Sequence, residues 1–359
     1  MKKLLALFLV FSVCLTGCSS SDSDTAAETY EIALVTDEGT ITDESFNQSA
    51  WEAVVAFGDE YGVTYKYYEP LEFDTAGYTS SIEEAIDNGA KVIVCPGYKF
   101  ADAVGQAQYD YPDVNFILID STPTLEGEEC DIESNLYCVT YLEQQAGYLA
   151  GYAAVVEGFT EIGFMGGIAL PAVVNFGYGY VQGAADAAEE LGVTINMTYY
   201  YTGSFNASTD IKASASSWYA SGVEIIFSCG GGICDSIFAA AEEVGAYTIG
   251  VDSDQSSSSD TVITSAMKGV VNTVYDTLIL YSEGSFPSGY EILGAEGDYV
   301  GLSDDFSRFS VFTEDDYTAL FENVKNGSIA IETYSDYSDY AGDPSMFATD
   351  SMTITYIAD

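Results

Sequence analysis

The chain has no histidine, and its 359 residues carry only 9 lysines and arginines against 57 aspartates and glutamates, a formal net charge of −48 at pH 7. Without imidazole the usual general base near neutral pH and the commonest zinc ligand are both missing. The scarcity of cations argues against nucleic acid as a partner, because no basic patch is available to release phosphate counterions. Such a charge favours solubility and self-repulsion and says little about fold. Beyond the first residues no run is apolar and long enough to cross a bilayer. The acidic stretch "DSDQSSSSD" lacks the central glycine and terminal glutamate of a calcium loop. "CGGGICD" lacks the Gly-Lys-Ser/Thr ending of a phosphate loop. No clustered carboxylates with an activated nucleophile stand out, so the expectation is a protein that is not an enzyme and takes no metal and no cofactor.

What is present starts with a leader. "MKK" is a positive n-region and "LLALFLVFSV" an apolar h-region, so residues 1–17 read as a signal peptide. The "LTGC" that ends at Cys18 is similar to the bacterial lipobox, in which the cysteine is lipidated and becomes the mature N-terminus. Residues 18–29 then form a flexible polar tether with nothing to bury. The mature chain is expected on the extracellular face of a bacterial cell membrane, held through its lipid. Loss of Lys2 and Lys3 leaves it seven basic residues, so a lysine beside a binding loop carries weight. Cys95 and Cys229 end apolar runs and read as small core residues. Cys130 with Cys138, or Cys229 with Cys234, could close short loops in an oxidising space.

Strand-like runs alternate with helical patterns along the mature chain. "EIALV", "VTYKYY", "KVIVC" and "NFILID" are short and apolar or β-branched, and helical patterns at 47–61, 78–88 and 99–109 lie between them. That order predicts a parallel sheet with helices on both faces. The pattern then restarts: "EIGFMGG" echoes "EIALVTD", "ASGVEIIFSCGG" echoes "DNGAKVIVCPG", and "YTIGVD" echoes "FILID". The registers pair Ile32 with Ile162, Phe46 with Phe176, Gly62 with Gly192, Phe73 with Phe205 and Asp120 with Asp252. The fold class is therefore α/β, with two doubly wound parallel-sheet lobes. The first spans 30–141 and is completed by a segment near 260–290. The second spans 142–259 and opens with a connecting helix at 142–157. Crossover segments and the C-terminal region fill 260–359, with loops and a final short strand at the end. Ligands bind beyond the carboxyl ends of parallel strands, which directs attention to 37–47, 73–78, 96–99, 120–123, 167–176, 203–206, 230–234 and 252–255.

"DEGTITDESFNQ", "GFMGG", "YTGSFN" and "GVDSDQ" followed by "TSAMK" resemble the basic membrane protein family of lipoproteins, the substrate-binding components of ABC importers for purine nucleosides. The likeness covers most of 30–330, and its first and last motifs are the specific ones. It implies a type I periplasmic-binding-protein fold, with a hinge and an interlobe cleft. Its implied partners are a purine nucleoside and the transmembrane permease subunits, and the receptor is expected to act as a monomer.

The resemblance gives Phe46 the role of stacking on the purine and Asn47 that of bonding the base. Phe46 follows "TDES", where Thr42 or Asp43 can cap a helix start. Phe205 matches the second stacking aromatic, with Phe176, the mirror of Phe46, as the alternative. Stacked bases are worth about 1–3 kcal/mol each, although aromatics at such places are as often core. Asp37 and Asp120 end strands and could accept from base N–H groups, or could simply form turns. Asp252 can accept from two vicinal ribose hydroxyls while Lys268 donates to the same oxygens and offsets the charge. Gly230 and Gly231 let the sugar approach the backbone closely. The stretch between Gln255 and Lys268 is shorter than the resemblance implies, which puts the reach of Lys268 in question. A ribose-like sugar held by the same fold is the competing reading. The width of the slot opposite Phe46 separates the two.

Overall fold

The computed structural model describes residues 29–358. The leader, Cys18 and nearly all of the tether lie outside them. Alternation along β1 (Ile32–Val35) explains the first layer. Ile32 and Leu34 enter one apolar core with α1 (Phe46–Tyr61), whereas Ala33 and Val35 enter another with α2 (Thr75–Asp87) and α3 (Ala101–Asp110). Successive side chains of a strand point to opposite faces, so a strand buried on both sides must be apolar throughout. The first sheet adds β2 (Tyr65–Tyr68), β3 (Val92–Pro96), β4 (Asn115–Ile119) and β7 (Leu136–Tyr141). A small hairpin of β5 (Thr124–Leu125) and β6 (Glu128–Glu129) stands apart from it.

The second lobe repeats the scheme. Its elements are α4 (Glu143–Glu157), β8 (Glu161–Gly166), α5 (Pro171–Leu191), β9 (Ile195–Tyr201), α6 (Thr209–Ser221), β10 (Ile225–Cys229), α7 (Ile233–Val244), β11 (Tyr247–Asp252) and β12 (Val262–Lys268). The chain continues through α8 (Val270–Ser282), β13 (Gly289–Leu293), β14 (Val300–Leu302), α9 (Glu314–Lys325) and β15 (Met352–Ile357). The first sheet has the order β13-β7-β4-β3-β1-β2 and the second β14-β12-β11-β10-β8-β9-β15. Every pairing within the two sheets is parallel except β12 with β14.

Two differences from the sequence reading follow from this order. Of the segment near 260–290, β12 stays in the second sheet, and only α8, packed on α1, crosses back, followed by β13. The Tyr-rich tail, expected as loops before a final short strand, also winds into 3-10 turns at Tyr334–Tyr340 and Ser345–Phe347, and the expected strand, β15, seals the outer edge of β9. Within the described residues the chain passes between the sheets three times, at Leu142, Gly269 and Gly294. These crossings are tied down, with Leu142 N–H donating to Leu293 O at 2.8 Å and Gly269 N–H to Tyr299 O at 2.7 Å.

Helices α4 and α5 meet main chain to main chain. A Cβ on Gly147 or Gly151 would lie 2.0 Å from the carbonyl oxygens of Phe176 or Tyr180, and one on Gly179 or Gly183 would lie 2.0 Å from those of Gln144 or Tyr148. Small residues let helix backbones approach this closely, and any side chain there would hold the helices apart. All five cysteines among the described residues are free thiols, so neither Cys130 with Cys138 nor Cys229 with Cys234 is bridged. Cys234 is instead a core residue whose thiol donates to Ser228 O. Among the described residues no helix is long and apolar enough to cross a membrane.

Candidate functional site

Between the two lobes, beyond the carboxyl ends of the strands, lies a cavity of about 380 Å³. All ten residues singled out from sequence line it: Asp37, Phe46, Asn47, Asp120, Phe176, Phe205, Gly230, Gly231, Asp252 and Lys268. The loop at 73–78 does not. Its strand, β2, is the outermost of the first sheet, which leaves Phe73 facing outward and 48 % exposed.

The loop 37–47 is built by carboxylates. Asp43 receives the N–H groups of Ser45 and Gln48 on Oδ1 and that of Asn47 on Oδ2. It thereby satisfies first-turn donors of α1, although Ser45 is the residue that flanks the helix. Asn47 is buried and spends both amide hydrogens inside the loop, on Asp37 Oδ1 and Asp43 Oδ2 at 2.9 Å each. In this arrangement it fixes Asp37 and Asp43, with only Oδ1, already accepting from Asp37 N–H, left to face a ligand. Burial pushes the Asp37 carboxyl up to about 6, against the lowering effect of the Gly39 N–H and Asn47 bonds.

Phe46 opens α1 and is half-buried, one side against the core and the other on the cavity. Its mirror Phe176 differs because α5 begins at Pro171, several residues earlier relative to the phenylalanine. The ring therefore falls inside the helix, is 1 % exposed and packs edge-on against Phe227. Phe205 keeps a surface on the cavity and lies over Gly167, where a Cβ would come within 2.4 Å of its ring. Gly230 and Gly231 have φ of 158° and 52°, the range in which glycine alone is at ease.

The duplication is clearest in the aspartates. Asp120 directly follows β4 and Asp252 ends β11, and both adopt left-handed backbone, with φ of 63° and 64°. Such strain at non-glycine residues concentrates at functional sites. Both carboxylates converge on Lys268, the last residue of β12. Its Nζ donates to Asp120 Oδ2 at 2.5 Å and lies 4.9 Å from the Phe46 ring centroid. The short stretch after Gln255 does not hold Lys268 back. β12 runs directly beside β11 with Asp252 opposite Met267, so both strand ends reach the cavity together. Burial alone would depress the ammonium, but Asp120, Glu143 and Asp252 hold it well above the usual lysine range. Burial raises Asp252, with Lys268 and the Ser45 hydroxyl opposing. Asp120 Oδ1 is buried and has no hydrogen-bond partner among the described residues.

Several participants escaped the sequence reading. Ser45 Oγ donates to Asp252 Oδ2 at 2.6 Å, and Ser253 Oγ and Gln255 Nε2 donate to Glu44 O at 2.7 and 3.1 Å. These bonds join the first lobe to the second along one rim of the cavity. Glu143, behind Lys268, is 2 % exposed and lies 3.5 Å from Nζ. Burial raises its carboxyl to about 7, with Lys268 opposing. A glutamate in the first turn of a helix is common enough that sequence gave no signal for it.

The model of the ABC transporter substrate-binding protein PnrA-like family matches residues 31–334. The ABC transporter nucleoside-binding protein BmpA of Lactococcus lactis subsp. cremoris is 30% identical over 311 residues, covering 79% of this chain and 85% of that protein. Basic membrane protein A1 of Borrelia garinii subsp. bavariensis is 34% identical over 276 residues, covering 75% and 77%. A solved ABC transporter solute-binding protein from Aeropyrum pernix K1 superposes with a TM-score of 0.74 at 22% identity, covering 88% of this chain and 99% of that one. This last likeness bears on fold alone, and with the two parallel sheets it gives the type I periplasmic-binding-protein class.

Proposed function

The chain belongs to the family of PnrA-like ABC transporter substrate-binding proteins, and from that premise we propose that its ligand is a purine nucleoside. It is a lipid-anchored extracellular receptor, acting as a monomer, that closes two lobes over the nucleoside and delivers it to the permease. The observation that carries the reading is the pairing of an aromatic slot with a charged end. Phe46 and Phe205 border the cavity from opposite lobes, while Asp120, Asp252 and Lys268 meet beside them. Small-molecule pockets run from roughly 300 to 1,000 Å³, and this one, at about 380 Å³, suits a ligand of nucleoside size.

The chemistry divides along the cavity. Base faces stack on rings regardless of ring substituents, so Phe46 and Phe205 supply grip and the Asp37 carboxylate reads N–H groups on the base edge. Asp120 Oδ1, buried and unpartnered, has a hydrogen bond to gain from a hydroxyl donor. Asp252 accepts a second hydroxyl, and Lys268 donates to the pentose oxygens. A phosphorylated ligand would meet the carboxylates of Asp37, Asp43, Asp120, Asp235 and Asp252 with two ammoniums to offset them, Lys268 and a Lys99 already paired with Glu38, so the unphosphorylated nucleoside fits better. Calorimetry with adenosine, guanosine, inosine, cytidine, ribose and free bases tests the assignment. Purine nucleosides should bind and the isolated pieces should not. Binding of ribose alone at comparable strength would replace it with the sugar reading.

A further inference from the structure

We infer that Glu143 is a positioning residue of the pentose end: it retains the Lys268 ammonium within the second lobe, so that this cation is in place before Asp120 closes on it. The inference rests on the nucleoside reading and assigns a role to a residue that does not border the cavity.

The argument concerns which partner belongs to which lobe. The nearest carboxylate to Lys268 Nζ is Asp120, at 2.5 Å, but Asp120 follows β4 of the first lobe, so that bond breaks when the lobes part. Asp252 shares the lobe of Lys268, yet its Oδ2 is engaged by Ser45 of the first lobe. Glu143 alone among the three is bound only within its own lobe. Its Oε1 lies 3.5 Å from Nζ, and its Oε2 accepts from Asn175 Nδ2 at 3.2 Å. Asn175 is held in turn by Tyr334 N–H, which donates to its Oδ1 at 2.8 Å. The close approach of α4 to α5 fixes Glu143 against Asn175. A carboxylate this deeply buried needs a cation or a proton, and Lys268 supplies the cation.

Glu143 directly follows the crossing at Leu142, and Lys268 directly precedes the crossing at Gly269. The pair therefore bridges two of the three places where the chain changes lobe. The groups facing Glu143 are Lys268 from β12, Asp120 after β4, Cys229 at the end of β10, Tyr141 before α4 and Asn175 from α5. Protonation removes the hold on Lys268, so affinity should fall as pH drops through neutrality, with Asp37 adding a separate change nearer pH 6.

The test is inosine affinity of the purified full chain from pH 8 to pH 6, for wild type, Glu143→Gln, Lys268→Met and the double variant. Glu143→Gln is expected to bind about tenfold more weakly at pH 8 and to lose the change near neutrality, with no further loss when added to Lys268→Met. A Glu143→Gln variant matching wild type, or one weakened with the wild-type pH profile intact, overturns the inference. If that variant does not fold, Asn175→Ala should weaken binding about threefold, and unchanged affinity there is equally decisive. A wild-type chain that binds no purine nucleoside removes the nucleoside reading and this inference with it. A wild type that binds while the variants match it removes the inference alone.

Discussion

At the scale of single residues, the two aspartates held at positive φ separate binding from stability. Replacing Asp252 by alanine removes the acceptor of Ser45 and a negative charge near Lys268 while keeping the left-handed backbone. Replacing it by glycine removes the same groups and relieves the strain. Urea unfolding should find Asp252→Gly more stable than Asp252→Ala by about 1 kcal/mol, with nucleoside binding weakened alike in both. Phe46→Ala and Asp252→Ala should each weaken nucleoside binding at least about tenfold by calorimetry, the scale of one stack or one charge-assisted hydrogen bond. Much of this site was legible because its residues carry unusual chemistry in a chain with few cations: a lysine after "TSAM" and a phenylalanine in a polar loop invite explanation. Glu143, Ser45 and the accepting carbonyl of Glu44 were not legible. A buried glutamate reads like a surface one, and a backbone acceptor leaves no trace in side-chain identity.

At the scale of elements, alternation and capping carried the strands and helices to within a few residues. Gly62 and Gly192 show how closely: both end helices at positive φ, 69° and 66°, in mirrored positions. Long-range order was harder to read. β12 resembles a strand of either lobe, and only its register beside β11 decides. The glycines of α4 and α5 looked like mere smallness in sequence and turn out to be a backbone contact. Gly151→Ala should therefore destabilise the fold despite alanine's better helix propensity, because its methyl would sit 2.0 Å from Tyr180 O. A loss of about 1–3 kcal/mol in unfolding free energy is expected from overpacking, and equal or higher stability would contradict the contact.

At the scale of the whole molecule, charge sets the response to pH and salt. Asp37 and Glu143 bind a proton more tightly folded than unfolded, since burial raises them from 3.8 to about 6 and from 4.5 to about 7. The stability this contributes is fully present below the unfolded values and is lost as pH rises from them through the folded ones. The melting temperature without ligand should fall from roughly pH 4 to roughly pH 7, and Glu143→Gln should flatten the upper part of that fall. Sodium chloride should raise it at pH 7.5 by screening a net charge of −48. The three chain crossings bear on how the halves work together. Lys268 abuts one of them and Glu143 another, so under the proposed closure a displacement of the ammonium is also a torque on the pivot. Cargo sensing and movement then share one fulcrum, and no relay through the interior is required to connect them.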